Sequence, residues 1–188
     1  MSKKKVIILS VVLILAIAYI SRVAYVNIVQ APIKVERYSM GDTVKHCNYQ
    51  FRVTDYRIYY RNEFEKKYGV LDYYQDRYKS DEYAFIVVKV YYKMLSDKYD
   101  KKYEFSPTSF HIQDKAIDFE SDVGLYYDYM PDDCKTVEKV GDSSNDLLIY
   151  AIPKSNITEE HWKNIKNLDF KLSLNDAENK KIEISLKK

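Results

Sequence analysis

Few residues in this chain have the type and spacing to do chemistry. Cys47 and Cys134 are its two thiols, and His46, His111 and His161 are scattered along the sequence. A zinc site needs three or four ligands at short, recognisable spacings. His46-Cys47 is the nearest thing to a ligand pair and has no companions, so the histidines read as surface residues and no metal is expected. Asp128, Asp132, Asp133, Asp142 and Asp146 carry oxygens that calcium would accept. Yet the run Gly141-Asp142-Ser143-Ser144-Asn145-Asp146 lacks the twelve-residue loop and closing Glu of a calcium-binding hand, and these acids read as solvated turn residues. Covalent catalysis needs a nucleophile beside a base. No Gly-x-Ser-x-Gly elbow is present, and no Ser-x-x-Lys motif stands in a fitting context. With four glycines in the whole chain, a glycine-rich phosphate loop is excluded. No catalytic residue and no cofactor is assigned, and a hydrolase is the least favoured reading.

Tyrosine is the anomaly. There are 20, against seven Phe and one Trp, and twelve of them lie between Tyr56 and Tyr103. The doublets Tyr59-Tyr60, Tyr73-Tyr74 and Tyr91-Tyr92 matter because successive residues on a strand face opposite sides. Each doublet on a strand turns one ring outward unless both faces are covered. Tyrosine offers a large contact area at low entropy cost and keeps a polar tip. The polar, Tyr-rich stretch 61–80 is therefore the candidate recognition patch, with Tyr68, Tyr73, Tyr74 and Tyr78 as its rings. Ordinary amphipathic cover of sheet faces is the competing reading.

The elements that must carry these residues fall into two parts. Lys3, Lys4 and Lys5 precede Val6 to Ser21, sixteen residues without a charge, which is the basic tip and apolar core of an export signal. Ala16-Ile17-Ala18 supplies the small residues of a cleavage site, and a cleaved signal would leave a secreted protein. The run reaches anchor length if Arg22 snorkels and the helix continues to Val29. A signal-anchor is the favoured reading, with the lysines in the cytoplasm and the rest of the chain outside. The first 30 residues hold four cations and no acid, so the remainder carries 26 basic and 28 acidic residues and its net charge is −2, not the +2 of the whole chain. Nucleic acid is not an expected partner. Outside the cytoplasm an even pair of cysteines reads as one disulfide, Cys47–Cys134.

The remainder reads as β. Residues 31–37 form a linker containing Pro32, and a domain spans 38–188 with an insertion at 61–80. Tyr83 to Met94 alternates, with Ala84, Ile86, Val88, Val90, Tyr92 and Met94 on one face. Phe51-Arg52-Val53-Thr54 starts another strand, and after Asp55 its apolar positions move to Tyr56, Ile58 and Tyr60. A parity shift inside one run predicts a bulge or a change of sheet. Phe110 to Phe119 reads as a hairpin, Leu147 to Ile152 as a strand stopped by Pro153, and Leu168 to Leu186 as a terminal hairpin. Thr158 to Asn167 holds one or two helical turns with Asn156 or Thr158 as the cap. About seven short strands with little helix predict a mainly β fold, an antiparallel β-sandwich, preceded by one transmembrane helix.

Gly41-Asp42-Thr43-Val44, then Phe51-Arg52-Val53-Thr54, then Tyr83 to Val90, and finally Gly141-Asp142-Ser143 leading to Leu148 to Pro153 follow one another in a familiar order. The arrangement resembles the bacterial telokin-like, immunoglobulin-like extracellular domains of Gram-positive surface proteins. The resemblance implies an immunoglobulin-like sandwich and carries over no catalytic residue. The expected function is a non-catalytic binding module at the cell envelope, anchored through Val6 to Val29, whose partner is an envelope protein or a glycan. The alternatives are an accessory subunit acting on a membrane complex through its helix and, behind it, an envelope hydrolase.

Overall fold

A computed structural model describes residues 3–29, 33–69, 78, 82–97, 106–115, 117–131, 134, 137–175 and 180–187. The chain divides into two compact units, Met1–Lys34 and Val35–Lys188. The first is one helix, α1 (Lys3–Val29). The most apolar 18-residue window of its stretch Lys4–Ile28 has a mean hydropathy of 2.6, and the stretch is 25 residues long. At about 1.5 Å per residue that outspans the ~30 Å of a bilayer's hydrocarbon core. By length and composition α1 can serve as a membrane anchor or as an export signal.

The second unit is sheet-rich. In chain order it contains β1 (Lys34–Ser39), β2 (Val44–His46), β3 (Tyr49–Tyr60), α2 (Arg61–Tyr68), β4 (Tyr83–Met94), β5 (His111–Asp114), β6 (Ile117–Glu120), α3 (Val123–Asp128), β7 (Ser143–Pro153), α4 (Glu159–Lys163), β8 (Lys171–Asn175) and β9 (Lys180–Ser185). One sheet has the order β2-β3-β4-β7 and the other β1-β9-β8-β5-β6. The expected hairpins form: β5 pairs with β6 and β8 with β9, both antiparallel. Thr158 caps α4 by accepting from the His161 amide. Two expectations are corrected. Strand β1 begins at Lys34, so the second half of the linker expected over 31–37 is part of a sheet. Among the described residues there are nine strands rather than seven, and helices cover one of the sheets.

That cover explains why β4 is almost continuously apolar. On one face Ala84, Ile86, Val88 and Val90 join Phe110, Ile112, Leu172 and Ile184 of the opposite sheet in the main core. On the other face Phe85 and Val87 meet Phe64 of α2, Leu125 of α3 and Tyr78 in a second core. A strand buried on both faces reads as an apolar run instead of an alternation. Strand β3 obeys the same geometry through a bulge, because its register against β4 shifts between Val53 and Asp55. Phe51 and Val53 face the main core before the shift, and Tyr56, Ile58 and Tyr60 pack against it afterwards. The expected parity change is thus a bulge within one sheet. The extra residue, Thr54, donates its hydroxyl to the Lys89 carbonyl at 3.3 Å.

Two turns share one design. Gly41 and Gly141 have φ of +98° and +96°, a region open to glycine at little cost. Each is followed by an aspartate that closes the turn: Asp42 accepts from the Ser39 amide at 2.8 Å and Asp142 from the Lys139 amide at 3.0 Å. The two sheets are tied directly by Tyr150 of β7, which is fully buried and donates its hydroxyl to the Phe110 carbonyl at 3.0 Å. Burial pushes its phenol well above the usual value, so it remains a donor.

Two predictions follow from these ties. Tyr150→Phe leaves the buried Phe110 carbonyl without its donor and should lower unfolding free energy by about 1–3 kcal/mol, measured by denaturant titration; an unchanged midpoint would contradict the tie. Glu183 links three strands through Arg37 at 3.5 Å, Lys171 at 3.3 Å and Lys181 at 3.1 Å. Burial acts to raise its carboxyl, but the hydrogen bonds from Lys181 and Lys171 outweigh burial and hold it below the ordinary value. A depressed carboxylate stabilises above its unfolded pKa of about 4.3 and loses that contribution as pH falls through the folded value. Glu183→Gln should therefore cost about 1 kcal/mol at neutral pH, and the difference from wild type should vanish under acid conditions.

Candidate functional site

A hollow of the sheet unit lies where the rims of the two sheets meet. Strand β6 ends one sheet and β7 the other, and Ser121-Asp122 carries the chain from β6 into α3. Asp122 fixes this corner with three bonds. Its amide donates to the Ile149 carbonyl of β7 at 2.8 Å. One carboxylate oxygen accepts from the Leu125 amide at 3.0 Å, capping α3. The other accepts from the Tyr78 hydroxyl. Ser121 donates to the Thr108 carbonyl at 2.9 Å.

Around this corner runs a groove of about 500 Å³. Tyr83, Phe119, Ala151 and Pro153 form its apolar and aromatic walls, and Glu120 and Val123 lie along it. Val123 is 51% exposed, an apolar side chain left at the lip. The polar groups at the corner are already engaged in holding it together, and no His, Cys, Lys or Arg is among the described lining residues. The groove therefore offers shape, aromatic surface and hydrogen bonding, which suits binding.

A second polar cluster is buried. Asp146, expected as a solvated turn acid, is 1% exposed on β7. It accepts from Tyr126 at 2.6 Å, from the Cys134 thiol at 3.0 Å and from Ser144 at 3.3 Å. A buried carboxylate is tolerated when its lone pairs are met in this way. Burial, reinforced by the hydrogen bond to Asp146, raises the Tyr126 phenol and keeps it protonated.

These positions correct the expected disulfide. Cys134 is half-buried against Asp146, while Cys47 is exposed in the turn between β2 and β3, where φ is +49° and its sulfur lies 3.2 Å from the His46 ring. The two sulfurs belong to different surroundings and no bond joins them.

Two rings of the expected tyrosine patch, Tyr68 and Tyr78, are among the described residues. Tyr78 is 2% exposed and belongs to the second core, stacked edge-on to Tyr83 and Phe85, so its ring is not a recognition surface. Tyr68 is half-buried and edge-on to Tyr59. Tyr73 and Tyr74 lie outside the described residues. Sequence reasoning missed the groove at Asp122. Its signal was an aspartate before Val123-Gly124-Leu125, hidden by a glycine in the first turn and by the six-residue length of α3.

No protein-family model matches the chain, and no curated protein is significantly similar to it. Two solved structures resemble it. A functionally unknown protein from Listeria monocytogenes EGD-e is 8% identical, with a TM-score of 0.44, over 72% of this chain and 69% of that one. The yjhA protein from Bacillus subtilis is 12% identical, with a TM-score of 0.42, over 78% of this chain and 99% of that one. Both come from Gram-positive bacteria.

The cysteine geometry is directly testable. Alkylation of the native, unreduced protein should modify both thiols, Cys47 within the mixing time and Cys134 more slowly because its sulfur is half-buried and hydrogen-bonded. Intact mass spectrometry reads the order; a protein that alkylates only after reductant would contradict it.

Proposed function

We propose that this chain is a membrane-anchored, non-catalytic binding module whose sheet unit is an immunoglobulin-like, telokin-like sandwich held outside the cytoplasm. Its partner is an envelope protein or a glycan. The groove beside Asp122 is the observation that supports this reading most. It is large enough for part of a macromolecular ligand, it has aromatic walls, and structural bonds hold Ser121 and Asp122 at its corner while Glu120 stays exposed along it. The sandwich assignment draws on two sheets sharing one core, with β2-β3-β4-β7 in one and β9-β8-β5-β6 in the other paired antiparallel. The anchor assignment draws on three lysines ahead of an apolar helix of spanning length, the arrangement that retains the N-terminus in the cytoplasm.

The accessory-subunit reading would have the helix recognise another helix through polar groups. The hydroxyl of Ser10 instead donates to the Val6 carbonyl within α1 at 3.0 Å, which gives that reading no support.

Two measurements on the full-length chain in its own cells test the proposal. A membrane-impermeant maleimide should label Cys47 rapidly on intact cells, and Cys47→Ser should lose that rapid phase, leaving only slow labelling of Cys134. Labelling that appears only after lysis would overturn the external placement. A photo-crosslinking residue at Val123 should give a discrete adduct, and the same residue at Lys163, which is 71% exposed on α4, should not. Adducts at both positions, or at neither, would remove the groove as the binding site.

A further inference from the structure

A second, smaller hollow of about 220 Å³ opens on the outer face of β3 and β4 beside the C-terminal end of α2. The ladder register builds it. Beyond the bulge, Asp55, Arg57 and Tyr59 take alternate positions on the outward side of β3, with Asp55 opposite Lys89 and Arg57 opposite Val87. Lys67 and Tyr68 of α2 close it. Three cations thus meet one carboxylate around one hollow.

Those charges are poorly neutralised from within. Arg57 Nε is 3.8 Å from Asp55 Oδ1, with side chains 70% and 40% exposed. Neither Lys67 nor Lys89 has a carboxylate partner among the described residues, whereas Lys166, Lys171 and Lys181 each reach one within 3.3 Å. Tyr59 and Tyr68 add two phenols whose rings meet at 5.8 Å. Burial first, then the proximity of Tyr59 and Asp55, raises the Tyr68 phenol, so its O–H is retained. Converging cations over a part-apolar floor, with a hydroxyl donor beside them, are complementary to a compact anion.

We propose that this hollow binds the phosphate group of a small phosphorylated ligand. Arg57 supplies a planar fork of donors, Lys67 and Lys89 supply point charges, and the Tyr59–Tyr68 phenol pair, joined by one hydrogen bond, has one hydroxyl left to donate. A net charge of +2 on the named residues suits a dianion better than a single carboxylate. The volume lies below the ~300–1,000 Å³ of pockets that enclose drug-sized ligands, so the phosphate and the few atoms next to it would sit inside. Asp55 opposes the anion and faces Arg57 until the ligand arrives, which makes it the one residue whose neutralisation should improve binding. The hollow is separate from the groove beside Asp122, and its test does not depend on that groove.

The test uses the full-length chain in dodecyl maltoside, titrated with inorganic phosphate by phosphorus NMR against chloride at matched ionic strength. Saturable phosphate binding is expected. Arg57→Gln and Lys89→Gln should each weaken it about five-fold and Asp55→Asn should tighten it about three-fold, while Lys163→Gln leaves it unchanged. All these side chains are on the surface, so thermal melts should not move. Repeating the titration in phosphatidylcholine nanodiscs with and without phosphatidylglycerol separates the sources. Competition by phosphatidylglycerol assigns a lipid headgroup, and indifference to it assigns a soluble phosphate ester. Binding that fails to saturate, or that responds to neither Arg57→Gln nor Asp55→Asn, overturns the proposal.

Discussion

One extra residue in β3 decides what faces where on the helix-covered sheet. Strand β4 is buried on both sides along its centre, so its partner must present apolar groups to the main core throughout. The residues of β3 do not alternate evenly enough to do so: Phe51 and Val53 are in one phase, Tyr56, Ile58 and Tyr60 in the other. Without the bulge, a continuous pleat would turn Asp55 and Arg57 into the space between the sheets, where an unmatched charge costs several kcal/mol or forces neutralisation. The bulge turns these charges outward and returns Tyr56, Ile58 and Tyr60 to the core. It also sets Tyr59 beneath α2, where its ring meets Phe64 at 6.4 Å. The same insertion that completes the core thus assembles the charged outer face.

Aspartates play a comparable role at the corners. Asp42 and Asp142 close glycine turns, Asp122 joins β7, α3 and Tyr78, and Asp146 gathers donors from α3, from the segment of Cys134 and from its own strand. In each case the carboxylate satisfies donors that the chain reversal would otherwise leave unpaired. Among the described residues of the acid-rich segment, Asp142 and Asp146 are committed to protein donors. Asp146 is surrounded by hydrogens, the opposite of what a metal requires, and Asp142 is directed at amides. The same role explains the two cysteines: Cys134 is held as one of those donors, far from the exposed hairpin turn that carries Cys47.

The legible parts of the fold were those written as period and punctuation. The apolar run of β4, the parity change at Asp55, the hairpin around Lys115, the cap at Thr158 and the terminal hairpin are local signals, and local signals survive in one sequence. What could not be read depends on contacts between distant residues. Helix α3 is six residues long with a glycine near its start, so only Asp122, tied to β7 and to Tyr78 from 44 positions away, makes it worth forming. Strand β1 lies in a stretch of mixed polarity whose placement depends on β9. The cysteine pairing was inferred from number and compartment, and such an inference carries no information about distance.

The tyrosine excess takes on a different meaning from this packing. Tyr78, Tyr92, Tyr126 and Tyr150 are all buried, and three of them place a hydroxyl on a group contributed by another segment: Asp122, Asp146 and the Phe110 carbonyl. Phenylalanine would fill the same volume and leave those acceptors unmet, at about 1–3 kcal/mol each. A core bounded by short elements and many chain reversals has more stranded polar groups to satisfy than one built on long elements, and tyrosine supplies bulk and a donor together. These four tyrosines are therefore structural. Among the described residues, Tyr83 borders the groove and Tyr59 and Tyr68 border the charged hollow. They stand where sheet geometry, not local abundance, has set them.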